Sequence, residues 1–359
     1  MKAAVLLGKG IIRCQEVPVP PLREDQVMVR VEACGICGSD LRYLQGANPW
    51  AMHTLGERRT NPEKMILGHE FAGVVCAAGS DRWEGLVGQR VAAQAFRGCG
   101  VCPQCRSGRE NLCANTQHIG HGAGWKGLEW NPGAMAEQCP VWGEMCYPLP
   151  EHVSFEEAVF LDGLGVTVHA VNRSALQVGE VACVLGAGPI GSSVAQVAKA
   201  HGARLVAVSD VYDKALEAAR QVELDLVVDA RREDVVAAVR ERTEGLGADA
   251  VFESVGAAET LEQALALAAP GGRIVLMAGL TSGARIDPLR LAGERSVTVS
   301  ANNNYREYLT GLQLLAAGQV KVKPLVTHRF PLTEVQEAFR VAADKSASGA
   351  LKVVVCPQA

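Results

Sequence analysis

The stretch VACVLGAGPIG, residues 181–191, constrains this chain more than any other. An apolar run of strand character ends in Gly186-Ala187-Gly188-Pro189-Ile190-Gly191, and a helical pattern opens there. Gly186 allows the tight turn, Gly188 lets a pyrophosphate approach the backbone, and Gly191 lets the helix pack on the strand. The helix N-terminus offers unpaired N–H groups to the phosphates. Such glycine-rich turns are often only turns, so the context decides. A second apolar run, RLVAVSD, follows and ends in Asp210, 19 residues past Gly191, where an acid would meet the adenosine ribose hydroxyls. An acid there repels a 2′-phosphate, which favours NAD over NADP, although Ser209 and Lys214 leave room for both. The alternative for Asp210 is a turn residue at a strand end.

One nucleotide-binding unit does not account for 359 residues, and a chain this long is expected to build two cores. From about residue 155, apolar runs alternate with Ala-rich helical stretches, the rhythm of a parallel sheet with crossover helices. Before that, short β-like runs at 27–31, 72–77 and 90–95 are separated by glycine and proline, as in an all-β module. The opening MKAAVLLGKGIIRC reads as a first strand pair. After about residue 295 the pattern predicts a helix over 305–317 and a β-run at 351–355, while the run at 296–301 suits the edge of the parallel sheet.

Charge limits the partners. A net charge of -4, from 35 basic and 39 acidic residues mixed along the chain, leaves no footprint for nucleic acid or a membrane surface. A small molecule is the expected partner. The N-terminal apolar run breaks at Gly8-Lys9-Gly10, and no run of membrane-spanning length follows, so a cytoplasmic protein is expected. In that compartment its 12 cysteines serve as thiols or metal ligands sooner than as disulfides.

Two clusters carry metal-binding chemistry. Cys99, Cys102, Cys105 and Cys113 lie within CGVCPQCRSGRENLC and can close one Zn²⁺ completely, which makes it structural and a poor Lewis acid. The alternative is four reduced cysteines with no metal. The second cluster is sparser: Cys34-Gly35-Ile36-Cys37-Gly38-Ser39-Asp40, then Gly68-His69-Glu70. Catalytic zinc takes three ligands of this mixed kind and keeps a position open.

The motifs GICGSD, LGHEFAG, CGVCPQCRSGRENLC and GAGPIG occur in an order that resembles the zinc-dependent medium-chain dehydrogenases, over essentially the whole chain. The sorbitol (polyol) and threonine dehydrogenase branches are the most similar. The resemblance implies an α/β fold class: a Rossmann domain with a doubly wound parallel sheet at 157–295, and a GroES-like β-barrel catalytic domain from 1–156 and 296–359. A structural zinc lobe would occupy 97–115. It implies two Zn²⁺ per chain and NAD, a small alcohol as substrate, and a homodimer or homotetramer. Carried over by position, Cys37, His69 and Glu70 match the catalytic zinc site, and Asp162 matches its fourth position. Asp162 would bind the metal directly or hold a metal-bound water from outside. Ser39 matches the relay hydroxyl that passes the proton toward the ribose and solvent.

Several residues keep two readings. Cys34 is a barrel-packing thiol or half of a redox pair with Cys37, and Glu70 a ligand or a buried acid satisfied by an arginine. Arg42 stands where some relatives place a relay histidine, and arginine keeps its proton. Arg82 replaces a small or apolar residue and alters a loop. The polar loop at 45–64, with Trp50, His53, Arg58 and Arg59, carries specificity or is a surface insertion. Tyr305 and Arg306 line a pocket or open a helix, and His118 and His121 are read as loop residues. The leading function is oxidation of a secondary alcohol of a polyol, sugar or cyclitol. A threonine-like amino-alcohol dehydrogenase and a non-catalytic dinucleotide-binding protein are the alternatives.

Overall fold

In the computed structural model, which describes residues 1–279 and 285–359, the N-terminal run folds as an antiparallel hairpin of Lys2–Gly8 and Ile11–Glu16. Two units emerge from the packing: Met1–Asp162, Asn304–Leu309 and Val326–Ala359 form one, Gly163–Asn303 and Thr310–Leu325 the other. These bounds differ from the 156/157 and 295/296 divisions expected from sequence. The strand Ser296–Val299 pairs in parallel with Ala268–Leu276, and its hydrogen bonds keep it in the second unit.

The first unit is organised around the long strand Gln26–Gly35, which has Val27, Val29 and Val31 fully buried. It pairs antiparallel with Glu70–Ala78, Gln138–Trp142 and the C-terminal Lys352–Cys356. Such shared pairing covers both edges of the strand, while Val27, Val29 and Val31 turn one face to the core and Arg30 stays exposed on the other. The register sets Gly35 opposite Glu70 on one side and Val354 on the other, so three distant parts of the chain meet at one sheet corner. Helix Val335–Ala343 closes the core by burying Val335, Ala338 and Phe339. Trp142 is wholly buried there, its ring stacked 5.3 Å from Trp125 and under the Arg97 guanidinium at 5.0 Å.

The second unit holds a parallel sheet of Val181–Leu185, Leu205–Asp210, Leu226–Asp229, Ala248–Glu253, Ala268–Leu276 and Ser296–Val299. Counted in chain order, the strands lie 3-2-1-4-5-6 across the sheet, the doubly wound dinucleotide-binding order. Every residue of Val181–Leu185 is buried, as a central strand covered on both faces must be. Among the described residues no helix is long and apolar enough to cross a membrane. All 12 cysteines are free of disulfides.

Trp142→Ala removes a fully buried indole, so the first unit is expected to lose about 3–5 kcal/mol of stability. Urea unfolding followed by tryptophan fluorescence reads this as a lowered midpoint; an unchanged midpoint contradicts the central packing role given to Trp142.

Candidate active site and metal centres

In the second unit, the turn after Val181–Leu185 is built as the glycine spacing requires. Gly186 has φ +96°, and a Cβ on Gly191 would stand 1.8 Å from the Gly186 carbonyl oxygen. Pro189 opens helix Pro189–Ala200, with Gly188 as its cap and Ile190 following in the first turn. Asp210, at the end of Leu205–Asp210, does more than wait for a ribose: Oδ2 accepts the Ala187 N–H at 2.6 Å, and Oδ1 accepts those of Val211 and Tyr212 at 2.7 and 2.9 Å. The carboxylate therefore ties the glycine turn to the second strand. Nearby cations are already engaged, Lys214 with Glu217 at 2.9 Å and Arg231 with Asp229 and Asp213.

In the first unit, the donor atoms of Cys37, His69 and Glu70 all lie within 4.8 Å of one another. That spacing suits one ion with metal–ligand bonds of about 2.0–2.3 Å. Cys37 caps helix Gly38–Leu44, and His69-Glu70 lead into strand Glu70–Ala78. Asp40, wholly buried, joins the two segments: Oδ2 accepts the Cys37 N–H at 2.9 Å and Oδ1 accepts the Gly68 N–H at 3.2 Å. Its Oδ1 is also 3.7 Å from His69 Nδ1, a buried nitrogen that has no hydrogen-bond partner. Carboxylates in this position orient metal-binding imidazoles. Gly68 must be glycine, because its φ is +95° and a Cβ would meet Met135 N and Cys34 Sγ at 2.7 Å.

The cation beside Glu70 is Lys352 and not an arginine. Its Nζ donates to Glu70 Oε2 at 2.5 Å from the C-terminal strand, and both side chains are nearly inaccessible. Burial opposes the ammonium charge, but Glu70 and then Cys37 hold the Lys352 pKa above its ordinary value. Asp162 stands outside the three-donor group, at the start of helix Leu161–Ser174. Burial pushes its carboxyl up to about 6, against the pull of His69. Ser39 Oγ is 3.4 Å from His69 Nε2. Cys34 is fully buried in the core, where burial raises its thiol well above the usual range.

Cys99, Cys102, Cys105 and Cys113 also converge, with all four sulfurs within 4.8 Å. The Cys99 and Cys105 N–H groups donate to Cys113 Sγ at 3.3 Å and Cys102 Sγ at 3.4 Å, as backbone amides do around thiolates. Backbone N–H groups of Val101 and Cys102 draw the Cys99 thiol down to about 6. Tyr305 anchors this lobe, its OH accepting the Gly98 N–H at 2.9 Å. Arg306 is exposed, and Arg82 stacks on Trp83 at 4.6 Å in a surface turn. Arg42 meets His53, Nη1 to Nε2, at 3.0 Å. Within the 45–64 loop Arg58 and Arg59 are exposed, while Asn48 and Asn61 pin it by bonds to Thr60 O and Tyr43 O.

Sequence reasoning missed Asp40, Lys352 and the two histidines. Asp40 had a signal, its place in the first helical turn after a candidate ligand. Lys352 had none, since 282 residues separate it from Glu70. His118 and His121 are not peripheral: the His121 ring lies 4.5 Å from that of His69 and 3.9 Å from that of His118. Burial pushes His118 down to about 3, with His69 adding to the shift, and holds His121 well below its ordinary value.

A doubly wound nucleotide-binding unit, together in one chain with a unit carrying one mixed and one all-cysteine metal cluster, defines a zinc-type, dinucleotide-linked oxidoreductase. Family comparison agrees: residues 23–151 match the alcohol dehydrogenase GroES-like domain and residues 189–317 the zinc-binding dehydrogenase domain. The chain belongs to the zinc-dependent medium-chain dehydrogenase/reductase family. It is 32% identical to a sorbitol dehydrogenase of Bacillus subtilis, covering 99% of this chain and 97% of that one. It is 32% identical to an L-idonate 5-dehydrogenase of Vitis vinifera over 95% of this chain and 91% of the relative. A zinc-binding dehydrogenase from Sinorhizobium meliloti, solved with NADP bound, superposes with a TM-score of 0.86 at 31% identity, covering 99% of each chain.

The two clusters separate by mutation. Purified protein is expected to hold about two zinc ions per chain. Cys113→Ser should remove one of them and lower the melting temperature, because a closed site contributes folding energy. Cys37→Ser should remove the other and abolish turnover. Metal analysis with calorimetry checks both, and unchanged zinc in either variant refutes that site.

Proposed function

We propose that this chain oxidises a secondary alcohol of a polyol, sugar or cyclitol reversibly, with NAD as hydride acceptor and one catalytic Zn²⁺. The observation that carries the reading is the three-donor cluster of Cys37, His69 and Glu70, which saturates a tetrahedral ion only in part. When bound, zinc supplies the positive charge that lowers a substrate hydroxyl's pKa, and NAD the ring that takes the hydride. Cys37, His69 and Glu70 hold the ion, and Asp40 orients the His69 ring. Lys352 offsets the charge of Glu70, so the ligand set withdraws less of the ion's charge than four thiolates do. Asp162 completes the site as a fourth ligand or by holding the open position's water. Ser39 Oγ receives the hydroxyl proton and passes it outward; Arg42 keeps its own. The second zinc sits on Cys99, Cys102, Cys105 and Cys113 and shapes the lobe. The first unit is the catalytic domain and the second the dinucleotide-binding domain.

Gly186, Gly188, Pro189, Ile190 and Gly191 cradle the pyrophosphate, and Asp210 selects NAD. Two facts support NAD: the carboxylate is fixed at the second strand's end, and Lys214 and Arg231 are already paired. The edge strand Ser296–Val299, with Val299 63% exposed, supports assembly as a homodimer or homotetramer.

A panel of polyols, cyclitols, sugars and β-hydroxy amino acids assayed for NADH formation tests the substrate class. The largest kcat/KM is expected with a polyol, sugar or cyclitol. A preference for the amino alcohols moves the assignment to the threonine-like alternative, and no turnover of any alcohol removes the enzyme reading. For the cofactor, Asp210→Gly should shift the NAD-to-NADP ratio of kcat/KM toward NADP by about tenfold or more, an energy of about 1.4 kcal/mol. An unmoved ratio rejects the role of Asp210.

A further inference from the structure

The four-cysteine lobe opens from a ribbon too short to hold itself. Phe96–Arg97 runs into Cys99 and Gln117–His118 runs out past Cys113, and these two-residue strands pair antiparallel with Phe96 opposite His118. A two-stranded ribbon is marginal in water even when it is longer. The convergence of Cys99, Cys102, Cys105 and Cys113 closes the loop between the strands once a metal is held there, which removes the loop entropy that frays the ribbon. At its other end the ribbon bears on the mixed cluster. The His118 ring stacks on Phe96 at 5.9 Å and meets the His69 ring edge to face at 5.8 Å. A residue from a distant segment fastens the two ends together. Tyr305, at the start of helix Tyr305–Ala316, accepts the Gly98 N–H at 2.9 Å just before Cys99, and its ring lies 5.8 Å from that of Phe96. Gly98 leaves no room for a side chain of its own, because a Cβ would stand 2.9 Å from Cys105 Sγ. Burial raises the Tyr305 hydroxyl to about 12, so it keeps its proton at neutral pH.

We propose that the four-cysteine lobe sets the metal affinity of the mixed cluster, and that Tyr305 is the positioning residue that couples them. This rests on the two-zinc reading above and goes beyond it, since a metal that only shaped the lobe would have no bearing on His69. With the lobe closed, the ribbon is ordered and His118 braces the His69 imidazole beside Cys37 and Glu70. With the lobe open, the ribbon frays, and His69 must be ordered at the expense of metal binding, so affinity falls. Linkage makes the effect reciprocal: metal held by Cys37, His69 and Glu70 tightens the lobe by the same factor.

The test loads the full chain with Co²⁺, whose absorption separates an all-thiolate from a mixed site, and titrates each site against a chelator. In Cys113→Ser the mixed cluster should bind Co²⁺ about tenfold more weakly than in the wild type, and Cys37→Ser should weaken the lobe by the same factor. Tyr305→Phe, which keeps the ring and loses the hydroxyl, should give a mixed-cluster affinity between those of the wild type and Cys113→Ser. Phe339→Leu, which loosens the same core from helix Val335–Ala343, should lower the melting temperature and leave the mixed-cluster affinity unchanged. Equal mixed-cluster affinities in the wild type, Tyr305→Phe and Cys113→Ser overturn the proposal, as does a Cys37→Ser lobe that binds Co²⁺ as the wild type does. A Phe339→Leu variant that weakens the mixed cluster as much as Tyr305→Phe also overturns it, because general loosening then explains the effect. If Cys113→Ser does not fold, Tyr305→Phe and Cys37→Ser decide the matter. A wild type that takes up Co²⁺ at one site only, or at neither, defeats the two-zinc reading on which the inference stands.

Discussion

A single buried carboxylate, that of Asp40, holds together the parts of the first unit from which the mixed cluster is made. It accepts the N–H of Cys37 with one oxygen and that of Gly68 with the other, so Cys37 and His69, distant in sequence, keep their donor atoms in one place. A buried carboxylate is tolerable only where its lone pairs are used. Two backbone amides use them, and the His69 imidazole stands 3.7 Å away. The same bonds that justify burying Asp40 thus position Cys37 and His69, and folding and metal-site geometry become one constraint.

Charge separates the two cysteine-containing clusters. Four thiolates around one ion leave it neither a vacancy nor much positive charge, which suits a lobe-shaping role. The mixed cluster has fewer anionic donors, and Lys352 sits against one of them at 2.5 Å. Burying that ammonium is costly unless it is paired, so Lys352 and Glu70 depend on one another. The most conspicuous motif in the chain is therefore the less reactive one.

Elements with a local signal were legible in the sequence. The turn at 186–191 and the strands and helices around it follow from glycine placement and from apolar period, both read within a window of a few residues. The donor residues Cys37, His69 and Glu70 were legible by type, and the structure brings their donor atoms together. Asp162 was legible as a position but falls outside that three-donor group. Asp210 was anticipated for the ribose or as a turn residue at a strand end, and its bonds to Ala187, Val211 and Tyr212 show a structural use. The run at 296–301 was legible as a sheet edge, and Ser296–Val299 pairs there with Ala268–Leu276.

By itself the sequence determined that this chain carries a strand-turn-helix for phosphates, a closed four-cysteine set, and a sparse set of mixed ligands. Residue chemistry and short-range spacing suffice for that. Only the tertiary structure decided that Lys352 neutralises Glu70, that Asp40 reaches Gly68, and that Tyr305 reaches Gly98. Each of these contacts joins segments distant in sequence. They exist because strand register and core packing place the segments together, and register is a property of the whole sheet.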